Sequence, residues 1–172
     1  MNKLVFCPKH YLRNSFFLTC LRVFQQTLFN NLVYSQRCLI PAGSYYEWHR
    51  QARTSIPYCI LLPQRSIFAF AGIWTQRKQA DKTLHSLAII TAPAKPVIAA
   101  IHPRMPVIIP EKHEKEWLSD SSNKTGIENL LHHHLSEKIK ILRIEQTVNN
   151  VHNNSIDNWK VFEEENIGGL FE

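Results

Sequence analysis

Short apolar segments recur along the chain from position 37 onward, and each has the length of a β-strand. Proline, glycine, lysine and aspartate separate them, and no helical periodicity connects one segment to the next. The stretches 67–74 and 86–91 are apolar on both faces, which is typical of strands in the middle of a sheet. The predicted strands are RCLIP, YYEWH, PYCILL, SIFAFAGIW, HSLAIITA and MPVIIP.

Two later segments carry helix signals. PEKHEKEWLSD begins with Pro110 and Glu111, which favour a helix start, and it predicts that Trp117 and Leu118 dock on the sheet. KILRIEQTV alternates well enough to predict a closing strand. KTGIENLLHHHLSEKI has apolar residues at helical spacing, namely Ile127, Leu130, Leu131 and Leu135.

The segment 16–36, FFLTCLRVFQQTLFNNLVYSQ, predicts one amphipathic helix. Its inner face would consist of Phe17, Leu21, Phe24 and Leu28. The chain contains no internal repeat and no low-complexity linker. Strands and helices together therefore predict one β-rich α+β domain.

Composition adds a possible partner class. The 172 residues include 20 Lys and Arg against 14 Asp and Glu, which gives a formal net charge of +6. This surplus weakly favours a polyanion such as nucleic acid, although a merely soluble basic surface explains the charge equally well. The apolar fraction of 44% is that of a globular chain.

Cysteine spacing and hydropathy indicate in which cellular compartment the protein is expected. The four cysteines show no CxxC spacing, so neither a zinc ribbon nor a redox motif is predicted. No run of about 18 apolar residues is present, so we expect no membrane-spanning helix, and no clean secretory signal is found. We therefore expect a reducing, cytoplasmic location with free thiols.

Two titratable residues are candidates for proton transfer. Glu47 lies in a predicted strand between Tyr46 and Trp48, so it is either an exposed strand residue or a carboxylate with a raised pKa. His102 is either an ordinary surface or core histidine or a positioned acid or base. Pro103 follows it directly and fixes the direction of the backbone.

Other polar residues carry weaker signals. Arg104 could hold a phosphate. Thr91 ends a buried strand, where its hydroxyl is either an edge group or a ligand donor. The run 132–134 consists of three histidines that point in three directions on a helix, so we predict no metal site there.

Five segments, taken together, resemble the SRAP family, the abasic-site processing proteins once called SOS-response-associated peptidases. They occur in the family's order and with similar separations, over roughly residues 28–155. Residues 1–27 then form a divergent N-terminal segment, and 156–172 a C-terminal tail. The segments are RCLIPAGSYYEW (37–48), FAGIW (70–74), IITAPA (89–94), IHPRMPVIIP (101–110) and VNNVHNN (148–154).

The resemblance implies a fold and a function. The fold would have a mostly antiparallel, barrel-like sheet with a few peripheral helices. The function would be recognition of abasic sites in single-stranded DNA, with a covalent protein–DNA link formed in the DNA-damage response. The resemblance implies a monomer that uses neither a metal nor a cofactor. It favours an enzyme of DNA repair, from a family named for peptidases, with lyase-like chemistry at the abasic site.

The resemblance also implies roles for individual residues. Glu47 and His102 match the family's proton-transfer residues, so we expect both side chains to reach one common cleft. The residues matched to the DNA site are Trp48, Thr91, Arg104, Asn149 and Asn150.

The N-terminus departs from the family pattern. Family chains begin Met-Cys-Gly-Arg, and the cysteine supplies the amine and thiol that close a thiazolidine ring with the sugar aldehyde. This chain begins MNKL, and the upstream Asn-Ala-Arg-x-Glu-Thr motif is missing. Two interpretations stay open: the family activity, held by a longer form of the chain, or a catalytically inactive remnant that at most binds DNA non-covalently.

We expect the chain as printed to form no stable thiazolidine with abasic DNA. Asn2 offers no thiol, and the nitrogens of Cys7 and Cys20 are tied into peptide bonds. The measurement is incubation with abasic single-stranded DNA, followed by denaturing electrophoresis. A heat-stable shifted band would contradict this expectation.

Overall fold

The computed structural model describes residues 16–19, 24, 27–52, 54–80, 82–132, 138–150, 152 and 161. The strands are β1 (Phe16–Thr19), β2 (Arg37–Ala42), β3 (Tyr45–Gln51), β4 (Thr54–Leu61), β5 (Phe68–Gln79), β6 (Lys82–Pro93), β7 (Arg104–Pro106), β8 (Ile108–Ile109) and β9 (Lys140–Arg143). The α-helices are α1 (Thr27–Ser35), α2 (Pro96–Ala99), α3 (Glu114–Leu118) and α4 (Lys124–His132). Short 3₁₀ helices span Glu111–His113 and Gln146–Asn149. No helix of these residues is long and apolar enough to cross a membrane.

The described residues fall into two compact units. The sequence analysis predicted one domain and no such division. The first unit is built from the segments up to 42, 67–92 and 106–136. The second is built from 43–66, 93–105 and the segments from 137 onward. The chain passes between the units near Ala42, Ser66, Ala92 and Met105.

The first unit contains a sheet in the order β1-β6-β5-β2, and β8 pairs with β5. The neighbours of β5 run antiparallel to it, whereas β1 runs parallel to β6. The prediction that the stretches 67–74 and 86–91 belong to central strands is confirmed. Strands β5 and β6 lie between β1 and β2, and their residues 68–73 and 88–91 are buried. Helices contribute Val33 from α1 and Ile127 and Leu131 from α4 to the core beside this sheet.

Trp117 and Arg37 connect the short helix α3 to the first unit's sheet. The predicted docking of Trp117 is confirmed: its side chain is fully buried, and its Nε1 donates to the carbonyl oxygen of Cys38 at 2.9 Å. The Arg37 guanidinium donates to the carbonyls of Val33 and Tyr34 near the end of α1. It also donates to the carbonyls of Trp117 and Ser119 around the end of α3. One cation therefore satisfies the terminal acceptors of two helices.

The prediction of one helix over 16–36 is wrong at its beginning. Residues 16–19 form β1, which pairs with Ala88–Thr91 of β6, and the described helix spans Thr27–Ser35. Two aromatic residues followed by a leucine and a threonine suit a strand, and pairing with a central strand overrides a short helical periodicity. The side chains of Phe17, Leu21 and Leu28 lie outside the described residues.

The second unit contains a three-stranded antiparallel sheet in the order β3-β4-β9. The β3–β4 hairpin pairs Tyr45 with Ile60 at one end and Gln51 with Thr54 at the other. The predicted closing strand is confirmed as β9, which pairs with β4 from Tyr58 to Leu61. This order leaves β3 at the edge of the sheet.

We predict that Arg37→Ala lowers the free energy of unfolding by about 3 kcal/mol, because it leaves buried helix-end carbonyls without their donor. Arg37→Lys restores the charge but not the forked donor geometry, so its loss should be intermediate. Urea unfolding measures both variants, and Lys112→Ala, on an exposed position, is the control. A wild-type midpoint for Arg37→Ala would contradict the prediction.

Candidate functional site

Glu47 and His102 come together in the second unit. The Glu47 Oε2 lies 3.8 Å from the His102 Nδ1, and the two side chains are 18% and 44% exposed, respectively. Both residues line one cleft, so their predicted proximity is confirmed. Their catalytic roles stay predictions.

The pairing of strand β3 determines the direction of the Glu47 side chain and its neighbours. Glu47 pairs with Tyr58 of β4, while Tyr46 and Trp48 on either side of it form an edge-to-face ring pair with centroids 6.3 Å apart. Strand alternation points Glu47 away from this ring pair. Because β3 is an edge strand, the cleft can nevertheless be lined by both Glu47 and Trp48.

Burial controls the ionisation of Glu47. Loss of water around the carboxyl raises the pKa of Glu47 above its ordinary value, while the charge of a protonated His102 acts in the opposite direction. A carboxyl group with a raised pKa exchanges its proton more readily near neutral pH than an exposed glutamate does. This property suits general acid–base chemistry.

The backbone around Pro103 fixes the His102 ring. The His102 Nδ1 lies 2.8 Å from the carbonyl oxygen of Arg104, a distance that favours a proton on Nδ1. The neutral ring then keeps its lone pair on Nε2. Nε2 is therefore the atom that would exchange a proton with a ligand, as acceptor when the ring is neutral and as donor when it is protonated, while Nδ1 stays bound to the backbone.

The cleft has a volume of about 560 Å³. Its lining consists of Glu47, Trp48, His49, Arg50 and the segment 99–103. The sequence analysis did not select His49 and Arg50. Their only signal was their position on the same strand directly after Trp48, and Arg50 adds an exposed cation to the cleft.

Asn149 holds the indole of Trp48. The Trp48 Nε1 donates to the Asn149 Oδ1 at 2.7 Å, and the Asn149 Nδ2 donates to the carbonyl of Ser55 at 3.4 Å. The amide thus connects the cleft-lining tryptophan to strand β4. Asn149 was predicted to bind DNA, and the structure shows it in contact with another predicted site residue.

The remaining predicted site residues are not among those that line the cleft. Asn150 is exposed, and its Oδ1 accepts the backbone N–H of His152. Arg104 is half-buried, and it contacts His102 through its backbone. Thr91 belongs to the first unit, where it is 5% exposed in β6 and pairs with Thr19 of β1.

The histidine run lies mostly outside the described residues. His132 ends helix α4 and is exposed, and residues 133 and 134 are not among those described. Within the described part of the chain, no three His, Cys, Asp or Glu side chains are grouped as metal ligands.

Comparisons with known proteins agree on one family. The profile of the SOS response associated peptidase (SRAP) family matches residues 20–151. The chain is 35% identical over 130 residues to the abasic site processing protein YoqW of Bacillus subtilis (strain 168), covering 74% of this chain and 58% of that protein. It is 34% identical over 136 residues to YoaM of the same organism, also named an abasic site processing protein, covering 77% and 60%. The chain therefore spans less than two thirds of the length of either relative.

A solved structure has a similar fold. A protein from Bacteroides thetaiotaomicron superposes with a TM-score of 0.76 at 25% identity, covering 84% of this chain and 65% of that one. The predicted α+β fold with mostly antiparallel strands is confirmed by the described sheets and by this neighbour.

We predict that Glu47→Gln becomes more stabilising as the pH rises. The folded-state pKa of Glu47 is raised, so ionisation disfavours the native state, and wild-type stability falls as the pH rises above the ordinary glutamate range. The neutral amide does not ionise. The free energy of unfolding of the variant relative to wild type should therefore be higher at pH 7 than at pH 4.

Urea unfolding at both pH values measures this difference, and the control is Glu111→Gln, at an exposed carboxylate. A relative stability of Glu47→Gln that is the same at pH 4 and pH 7 would refute the assignment of Glu47 as a desolvated acid.

Proposed function

Because the chain belongs to the SOS response associated peptidase (SRAP) family, we propose that it recognises abasic sites in single-stranded DNA and moves protons on the lesion sugar. The names of its relatives support a function at abasic sites. The observation that carries the proposal is the pair of Glu47 and His102 in one cleft beside Trp48.

The chemistry of the lesion fits this pair. An abasic sugar is a cyclic hemiacetal. Its ring opens when the bond between C1′ and the ring oxygen breaks, the C1′ hydroxyl loses a proton to become the aldehyde, and the ring oxygen gains a proton to become the C4′ hydroxyl. The ionised Glu47 carboxylate accepts the hydroxyl proton, and the protonated His102 donates to the ring oxygen. Closure of the ring returns both protons, so the pair serves opening and reversal alike.

The rest of the cleft supplies binding. The indole of Trp48, held by Asn149, offers a flat surface on which a base next to the gap can stack. Arg50 offers a cation for a flanking phosphate. Stacking needs an unpaired base, which is the basis for proposing single-stranded DNA as the ligand.

Covalent capture would require a further group. A Schiff base with the open aldehyde needs a primary amine, and a thiazolidine also needs a thiol on the same residue. The residues described as lining the cleft carry neither group. We therefore assign to this cleft only the recognition of the lesion and the transfer of protons. The second candidate function of the chain is non-covalent binding of DNA by the same residues, without any covalent link.

The test compares three single-stranded oligonucleotides that differ at one position: an abasic site, a tetrahydrofuran analogue without the C1′ hydroxyl, and a thymidine. We expect the tightest binding to the abasic oligonucleotide, and an affinity that falls as salt rises. Glu47→Gln should raise the Kd for the abasic site about fivefold, the value of one hydrogen bond, and leave that for tetrahydrofuran unchanged. Trp48→Ala should weaken binding to both by about tenfold.

Two outcomes would overturn the proposal. The first is an equal Kd for the abasic and thymidine oligonucleotides. The second is an equal Kd for the abasic oligonucleotide as a single strand and after annealing to its complement. Glu111→Gln, which removes a carboxylate outside the cleft, is the control for net charge.

A further inference from the structure

Strands β5 and β6 extend beyond the core of the first unit as a two-stranded ribbon, here residues 74–80 and 82–87. The inner part of β5, Phe68–Ile73, is buried, whereas its residues from Thr75 outward are exposed. On β6, the positions 82–86 are exposed and 88–91 are buried. The pairing continues to Gln79 and Lys82, so both faces of the ribbon are formed by regular strand positions.

The register assigns each side chain to a face, because directly opposed residues and those two positions along a strand share one face. Trp74 opposes Leu87, Gln76 opposes His85, and Lys78 opposes Thr83. We call the face that these six residues form the aromatic face. The opposite face holds Thr75, Arg77, Gln79, Lys82, Leu84 and Ser86.

The aromatic face has the chemistry of a base-stacking surface. The rings of Trp74 and His85 lie with centroids 6.2 Å apart and planes inclined at 39°. Trp74 is half-buried, so its position is held by the sheet, while His85 is exposed. Lys78 stands further out on the same face, where its cation can reach the phosphate of a nucleotide stacked on the rings.

Charge on the ribbon points to a polyanion. The described residues of the ribbon include Arg77, Lys78 and Lys82 and no carboxylate, and the sequence between the two strands contains a single one, Asp81. Aromatic rings beside cations, without neighbouring acids, are the combination that binds unpaired nucleotides. Paired bases in a duplex do not present their faces for stacking.

We propose that the aromatic face of the ribbon is a second binding site for single-stranded DNA, independent of any lesion. It stacks one base on the Trp74–His85 pair and holds a phosphate with Lys78. The site shares no residue with the cleft of the second unit, and its choice of ligand rests on the proposed function of that cleft.

The experiment uses the full chain and an undamaged, fluorescently labelled oligothymidylate. The test variant is Lys78→Gln with His85→Ala, both at exposed positions, so that the fold is retained. The matched control is Lys82→Gln with Leu84→Ala, which removes one cation and one large neutral side chain from the opposite face. The test variant should reduce the salt dependence of binding by about 0.7 in the slope of log K against log salt, because Lys78 holds a phosphate. The control should leave that slope nearly unchanged, because Lys82 lies on the opposite face.

Only the test variant should lose stacking, so its Kd should rise about fivefold more than that of the control. Trp74→Leu should show the same loss, with its far-ultraviolet circular dichroism confirming the fold. Equal weakening by the test and control pairs would overturn the proposal, because it would show only long-range charge. Equal weakening of duplex binding by the test variant would also overturn it.

The failures of this inference and of the proposed function are distinguishable. If the preference for abasic over undamaged DNA is present and the test variant binds oligothymidylate as the control does, the ribbon site is wrong and the cleft stands. If that preference is absent and the test variant still weakens binding, the cleft assignment is wrong and the ribbon site stands. Failure of the wild-type chain to bind any oligonucleotide overturns both.

Discussion

The desolvated carboxyl of Glu47 is the constraint on which the candidate site, and the function proposed for it, depend. Taking a carboxylate out of water is costly, and His102 at 3.8 Å is too far away for a hydrogen bond and offsets only part of the cost. Hairpin pairing along β3 and β4 holds the carboxyl in place regardless of its charge. An acid kept in such a setting by its backbone is a marker of a functional site.

The sequence predicted those parts of the fold in which burial leaves a pattern. Strands β5 and β6 were found because inner strands are apolar on both faces, and Trp117 because an aromatic residue on a short polar helix has to face a core. Strand β1 was missed because its assignment depends on parallel pairing with β6, a long-range contact with no local periodicity.

The candidate site was predictable only in part. Alternation could place Glu47 away from its aromatic neighbours, but its approach to His102 required the family resemblance, because a turn and several strands separate the two in sequence. His49 and Arg50 were missed because the cleft is completed by the segment 99–103, whose position relative to β3 is a tertiary feature. The bond from Trp48 to Asn149 has no sequence signal at all.

Among the described residues, each unit carries a pair of rings with a cation on the same face, and the cleft of the second unit adds a carboxyl group. Tyr46 and Trp48 form a ring pair on β3 with Arg50 on the same strand, and Trp74 and His85 form a ring pair on the ribbon with Lys78 beyond it. The described residues of the ribbon pair the imidazole of His85 with no carboxylate, whereas the proton exchange proposed for a hemiacetal uses an acid and a base together. We therefore assign the proposed proton transfer to the cleft, where the aromatic wall meets a desolvated carboxyl and an imidazole whose Nδ1 lies against a backbone carbonyl.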